Sequence, residues 1–346
     1  MNKKFVATLA LVLIAATAFA GVNFTGTFKA GYVFSFTDGV FAATPKTVDG
    51  TAANTEAYMY LKAADDGGLW TVTFKGTAAF NESAGVKAGA SLNLGKALAT
   101  KGVDLGDFGI VASIGANSNM SGLNVYTDPF STIGDNGYKL RSAGGYSAGL
   151  TLNYAKLVKV NFASNMKTPA GDGTNDFNFV LSASSEPVDG IQLAVGYANK
   201  YQNKHTSSAT FGKNGVDGSV TVNVAKLAGL DDISLSVSAH DLYLVDAKLN
   251  YLTTGLSFGI AKVGAYVEYT LYDNISGIKA KVSYSGIEDL GMYAKFVASD
   301  FANFSDSITV SGGADYTMGG VKYSLDLAYA IGAKKFSITP ACKITF

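Results

Sequence analysis

The chain has 346 residues, with 27 basic and 27 acidic side chains and a formal charge of zero, so it lacks the basic excess of a nucleic-acid partner. One cysteine, Cys342, excludes an internal disulfide, while 40 Gly, 19 Tyr and 21 Phe against 5 Pro make a composition of strands and turns. No Pro-rich or Ser-rich linker divides it.

In chain order, Lys3 and Lys4 precede an apolar run from Phe5, which ends at Ala18-Phe19-Ala20. This reads as a secretory leader, residues 1–20, cleaved before Gly21. The run falls short of the roughly 20 residues a membrane helix needs, and no basic flank follows it. Without Lys3 and Lys4 the mature chain, 21–346, carries a formal charge of −2 and is expected to form one domain.

Beyond the leader, apolar and polar residues alternate by twos. Val220-Thr221-Val222-Asn223-Val224, Ile233 through Ala239, Ile278 through Tyr284 and Val321 through Leu327 each present one apolar and one polar face. Turn clusters separate such segments: Asp65-Asp66-Gly67-Gly68, Gly229-Leu230-Asp231-Asp232 and Met318-Gly319-Gly320. Longer polar loops are expected at 37–53, 118–137, 167–175 and 203–215. Short turns alternating with long loops predict an all-β, closed antiparallel up-and-down transmembrane barrel of 16–18 strands, with short periplasmic turns and longer outer loops. Phe34, Phe36, Trp70, Phe74, Tyr269, Tyr272, Tyr329, Phe336 and Phe346 stand near segment ends, as aromatic girdles at the two water interfaces would.

If apolar positions meet lipid, their neighbours line the lumen. In the first half these are Lys29, Glu56, Lys62, Lys75, Lys87 and Lys159. In the second half they are Lys226, Lys248, Glu268, Lys279, Lys281 and Lys295, then Lys322, Asp326 and Lys343. Lysine dominates this face, whereas acids such as Asp38, Asp231 and Asp289 fall in turns, so an electropositive lumen with acidic rims is expected.

The final segment, Phe336-Ser337-Ile338-Thr339-Pro340-Ala341-Cys342-Lys343-Ile344-Thr345-Phe346, is an amphipathic strand ending in phenylalanine. It resembles the closing strand of bacterial outer-membrane β-barrels, and with the leader and the strand number the whole mature chain resembles general porins. The resemblance implies a bacterial outer-membrane location, recognition of the last strand by the barrel assembly machinery, and passive diffusion of small hydrophilic solutes. It also allows a homotrimer. A loop folded into the pore is a further implication, and residues 117–138 are the candidate, with Asp128, Asp135 and Tyr138 as constriction residues. The Pro-Glu-Phe-Gly-Gly signature of some porins is missing there, and Arg141 is the only arginine. Pro340 lacks a ladder donor, which predicts a bulge or an unpaired position.

The lysines predict weak anion preference through a water-filled pore bounded by outer-membrane lipid. A surface-binding, adhesive or structural barrel without an open channel remains the alternative. Catalysis would fall on His240, since His205 lies in a polar loop; but Asp241, as the next strand residue, points to the opposite face. The run Gly171 through Asp176 is similar to a calcium loop, but Ala183 stands where the bidentate Glu would fall. No enzyme activity, metal or cofactor is expected. Cys342 takes the lipid-facing parity.

Overall fold

The computed structural model describes residues 22–45, 56–79, 84–115, 122–127, 130, 147–155, 157–165, 177–203 and 210–345. The expected leader at 1–20, His205, the run 171–176 and Phe346 lie outside the described residues.

Before the segment 122–127 come β1 (Val22–Thr37), β2 (Val40–Pro45), β3 (Glu56–Ala64), β4 (Trp70–Ala79), β5 (Ala84–Asn93) and β6 (Phe108–Gly115). After it come β7 (Ser147–Tyr154), β8 (Val158–Asn165), β9 (Phe179–Val188), β10 (Ile191–Asn203), β11 (Thr210–Asn223), β12 (Ile233–Leu244) and β13 (Leu249–Ile260). The remaining strands are β14 (Val263–Tyr272), β15 (Ile275–Ile287), β16 (Leu290–Ala298), β17 (Ile308–Met318), β18 (Val321–Ala330) and β19 (Lys335–Thr345). Three short helices, α1 (Leu94–Ala99), α2 (Val224–Leu227) and α3 (Phe304–Ser307), sit in connections. Among the described residues no helix is long and apolar enough to cross a membrane.

From β3 onward every strand pairs antiparallel with its predecessor in the chain, apart from β3 itself. β1 closes the ring, meeting β19 on one edge (Thr27↔Thr345 to Thr37↔Lys335) and β3 on the other (Val22↔Ala63 to Lys29↔Glu56). β2 occupies the rest of that second edge, from Tyr32↔Pro45 to Thr37↔Val40. β2 and β3 therefore share one place, and nineteen strands make a ring of eighteen positions, the upper end of the expected count. Closure through β1 joins the first and last strands into one ring, which is the condition for placing strands in hydrocarbon.

The two faces are inverted relative to a soluble sheet. Along β12, Ser238 and His240 are buried while the intervening neighbours on the other face include Val237, which is exposed. On β10 and β15, Val195 is 61% and Val282 52% exposed. Apolar side chains project from the outside of a closed cylinder, an arrangement stabilised by lipid rather than water.

The two ends differ only in part, since the longer connection 94–107 falls at the end of the compact turns and the tight turn 273–274 at the other. Both ends of the described chain share an end with the compact connections 189–190, 261–262, 288–289 and 319–320. The opposite end carries the long excursions 116–146 and 166–178. Three boundaries move. β2, Val40–Pro45, stands inside the loop expected at 37–53. β11 already begins at Thr210, inside the loop expected at 203–215. The alternation at 220–224 stops at Asn223, whose side chain caps α2 by accepting from Lys226 N at 2.9 Å and so ends the strand.

Aromatic clusters mark both rims. Phe36 packs against Phe41 and Phe336 at centroid distances of 5.1 and 6.5 Å, and Phe108 meets Tyr154 at 4.6 Å at the other end. Tyr272 is a correction: three residues from outward Tyr269, it has opposite parity and stacks inward on Tyr251 at 4.1 Å. There it borders an inward apolar cluster of Val180, Ala198, Leu242, Leu244 and Tyr251 near the long-loop end. The inner face is thus not polar throughout. Pro340 keeps its register with Leu325 on β18, but the β1–β19 ladder skips from Gly31↔Ala341 to Phe34↔Ile338 without changing register. The outcome is an unpaired position, not a bulge.

Candidate functional site: an inward segment and a lysine-bearing wall

Residues 122–127, between β6 and β7 in sequence, lie inside the ring against β11–β14. Val125 N donates to Ser219 Oγ at 3.1 Å, and Thr221 Oγ1 donates to the Val125 carbonyl at 2.6 Å. Both wall residues stand on the inward face of β11, so the segment is held there much as an added partial strand. Farther along, Tyr126 OH shares a 2.7 Å hydrogen bond with Tyr266 OH and donates to Glu268 Oε2 at 3.1 Å. Tyr266 OH also reaches the Thr127 carbonyl at 2.9 Å, and Phe130 packs on Tyr266 at 5.6 Å.

Glu268 is fully buried, and its second oxygen receives Lys279 Nζ at 2.9 Å. Burial, then the Glu268 carboxylate, push the Tyr126 phenol above its ordinary range, so it remains a hydrogen-bond donor. Space for this cluster comes from Gly255 on β13, opposite Glu268 in register. A Cβ at that position would lie 2.3 Å from Tyr266 Oη and 2.8 Å from Tyr126 Oη.

Ring order gives the segment its geometry. In sequence it follows β6, and it is pinned as far round as β14, eight positions along a ring of eighteen. Of the stretch expected to fold inward, 117–138, only 122–127 and 130 are described. Its named constriction residues, Asp128, Asp135 and Tyr138, lie outside the described residues, as does Arg141. Tyr126, Val125 and Phe130 make the contacts seen. Tyr126 and Phe130, four apart in this stretch, are the local signal for such contacts.

Across from the pinned segment, lysines line up. Lys75 and Lys87 are directly opposite on β4 and β5, and Lys281 and Lys295 on β15 and β16. Lys322, Lys343 and Lys29 form one row over β18, β19 and β1, which Glu56 continues on β3. Lys62 stands on the same face of β3, and Lys159 on that of β8. Lys281 and Lys295 both approach the Tyr293 ring, at 5.6 and 4.8 Å, and the Tyr293 hydroxyl donates to Asp326. Asp315 pairs with Lys322 at 2.8 Å. Like charges directly opposite destabilise a dry sheet. A water-filled interior, where fields are screened within about 8 Å at physiological salt, makes such rows tolerable.

Two expected lining residues are off the wall. Lys226 is an exposed residue of α2, ion-paired with Asp189 across the β9–β10 turn. Lys248 lies in the turn before β13, with φ +51°. The strands stop at Asn223 and Leu244, before either lysine is reached.

His240 is 1% exposed and its Nε2 lies 3.6 Å from Asp217 Oδ2, also buried, on the neighbouring strand. Asp241 points to the other face, as parity requires. His240 is thus a buried wall residue of β12, beside Asp217 of β11. Cys342 is on the outward parity of β19, opposite Tyr323 and Ala30. Among the described residues no cluster of His, Cys, Asp and Glu has metal-binding geometry.

No protein-family model and no curated protein matches this sequence. Solved structures do match in shape. A variant of Rh. blastica porin aligns over 94% of this chain and 100% of its own, at 11% identity and TM-score 0.52. Pseudomonas aeruginosa OpdQ aligns over 95% and 99%, at 10% identity and TM-score 0.56. Pseudomonas aeruginosa OccK2 (OpdF), in complex with glucuronate, aligns over 94% and 98%, at 6% identity and TM-score 0.58. Ring closure, inverted faces and full-length superposition on these barrels give one conclusion about architecture: the chain has the porin fold.

Proposed function

We propose that the chain is exported by its leader, 1–20, and inserted into a bacterial outer membrane as a single-domain porin, 21–346. Its last strand would be read by the barrel assembly machinery. Small hydrophilic solutes cross passively through water between the pinned segment and the lysine-bearing arc from β15 through β1 to β5, with weak preference for anions. The observation that carries this reading is the Tyr126–Tyr266–Glu268 contact, which pins a segment between β6 and β7 in sequence against the inner face of β14 in a closed ring whose outer face is apolar. The likeness to porins and to substrate-specific channels supports a channel of this type. Lysine rows with few inward acids support the anion preference.

The test is a planar bilayer with purified protein under a KCl gradient. Stepwise conductance with a reversal potential on the anion-selective side is expected. A cation-selective reversal potential contradicts the lysine argument, and a silent membrane returns the chain to the surface-binding alternative.

A further inference from the structure

We propose that a groove on the outer, lipid-facing wall over β4–β6 seats one acyl chain of a phospholipid whose head carries a phosphate and a primary ammonium. The proposal needs the ring to stand in a membrane and is independent of whether it conducts.

The groove, of about 330 Å³, opens over Trp70, Val72, Ala90, Leu92, Ala112 and Ile114. In register these residues form two outward rows, Trp70–Leu92–Ala112 and Val72–Ala90–Ile114. Each row sets one alanine beside bulkier side chains, and Ala90 and Ala112 are diagonal neighbours on β5 and β6. Together they lower the wall between Trp70 and Val72 on one flank and Ile114 on the other. Leu92 and Ile114 are 39% and 48% exposed, so the rim stands free for contact. The volume is at the low end of the roughly 300–1,000 Å³ of small-molecule sites, room for one chain and not for a whole lipid.

The foot of the groove carries both signs of charge. Trp70 N donates to Asp65 Oδ1 and Asn93 N to the Leu69 carbonyl, each at 2.7 Å, so the turn 65–69 and the start of α1 lie directly below the groove. There Lys96 Nζ donates to the Gly67 carbonyl at 2.6 Å, which fixes the ammonium over the turn. A Cβ on Gly68 would stand 2.8 Å from that nitrogen. Two of its three N–H groups are left to donate. Asp66, next to Gly67, is exposed, and neither Lys96 nor Asp66 is ion-paired among the described residues. Lys96 answers a lipid phosphate and Asp66 the ammonium beside it. A phosphatidylglycerol head brings no cation and a phosphatidylcholine head no N–H donor, so each leaves Asp66 without a match. Trp70 at the strand end is a residue of the membrane boundary, and α1 continues the apolar surface below it with exposed Leu98 and, after the helix, exposed Val103.

Trp70 is the only tryptophan of the chain, so its fluorescence reports on the groove alone. The full chain is reconstituted in phosphatidylcholine vesicles containing a rising fraction of phosphatidylethanolamine brominated in its acyl chains. Brominated phosphatidylcholine and phosphatidylglycerol serve as the comparison. Half-maximal quenching is expected at a mole fraction lower by roughly threefold or more for phosphatidylethanolamine, as two exposed charge contacts imply. Lys96→Gln and Asp66→Asn are expected to abolish that preference, and Ala90→Leu, which fills the groove with an apolar side chain, to make quenching proportional to mole fraction. Lys262→Gln, in another turn at the same end, is expected to behave as the parent does. Quenching blind to the head, a preference for phosphatidylglycerol, or a preference that survives Lys96→Gln overturns the proposal. Absence of quenching by any of the three also overturns it and gives the groove to a second copy of the chain. Conductance with head-blind quenching removes the groove and leaves the pore; head-selective quenching of a non-conducting protein keeps the groove and removes the pore.

Discussion

Tyr126 and Tyr266, 140 residues apart, meet hydroxyl to hydroxyl at 2.7 Å inside the ring. The contact joins an inward segment to β14 and places a phenol over the buried Glu268 carboxylate. Replacing Tyr126 by Phe removes that donor and leaves Glu268 less satisfied, at a cost of about 1–3 kcal/mol. Open-channel noise and mean conductance are expected to rise in single-channel records. Unchanged noise and conductance would show that the segment is held by other contacts.

Gly255→Ala probes the same contact without deleting any polar atom. The added methyl overlaps the Tyr266 and Tyr126 hydroxyls, so both must move. The variant is expected to match Tyr126→Phe in noise and conductance while β13 and β14 keep their pairing. Parent-like records would mean that the hydroxyl cluster does not restrain the segment.

Glu268 and Lys279 form a buried pair at 2.9 Å. Removing Lys279 strands the buried Glu268 charge, so Lys279→Met is expected to cost about 3–5 kcal/mol; Glu268→Met leaves a half-buried lysine and costs less, and the double change falls below their sum. Heat-induced loss of the compact barrel form on gels gives the ordering. Additive losses would show that the pair is not coupled.

Lys281 and Val282 are adjacent on β15 and face opposite ways. Lysine at a lipid-facing midplane costs about 2–4 kcal/mol, so Val282→Lys is expected to lower membrane insertion, whereas Lys281→Ala leaves it intact. Equal insertion yields would refute the facing assignment. In the same region, Lys281→Glu with Lys295→Glu is expected to shift the reversal potential towards cations.

Much of the architecture was legible because a period of two is a local property. Ile278 through Tyr284 states its own facing, and the turn Met318-Gly319-Gly320 announces where the chain reverses; both are as read. The sharing of one edge of β1 by β2 and β3 was not legible, since it depends on pairing between strands and not on pattern within one. Lys226 and Lys248 were misplaced because a pattern does not state its end: the Asn223 cap and the turn at 245–248 do. The role of Tyr126 is not legible in the sequence, since nothing local to residues 122–127 specifies a partner on β14. Inward Glu268 was found by parity, but its Lys279 and Tyr126 contacts needed the ring to close.

The claim beneath all of this is that water fills the ring and hydrocarbon surrounds it. Single cysteines from Lys279 to Tyr284 on β15, in a Cys342→Ala background, can be exposed to a charged, membrane-impermeant thiol reagent while current is recorded. Modification and current change at 279, 281 and 283 only, with 280, 282 and 284 inert, is the expected record. Labelling at 280, 282 and 284, or at neither set, would contradict it.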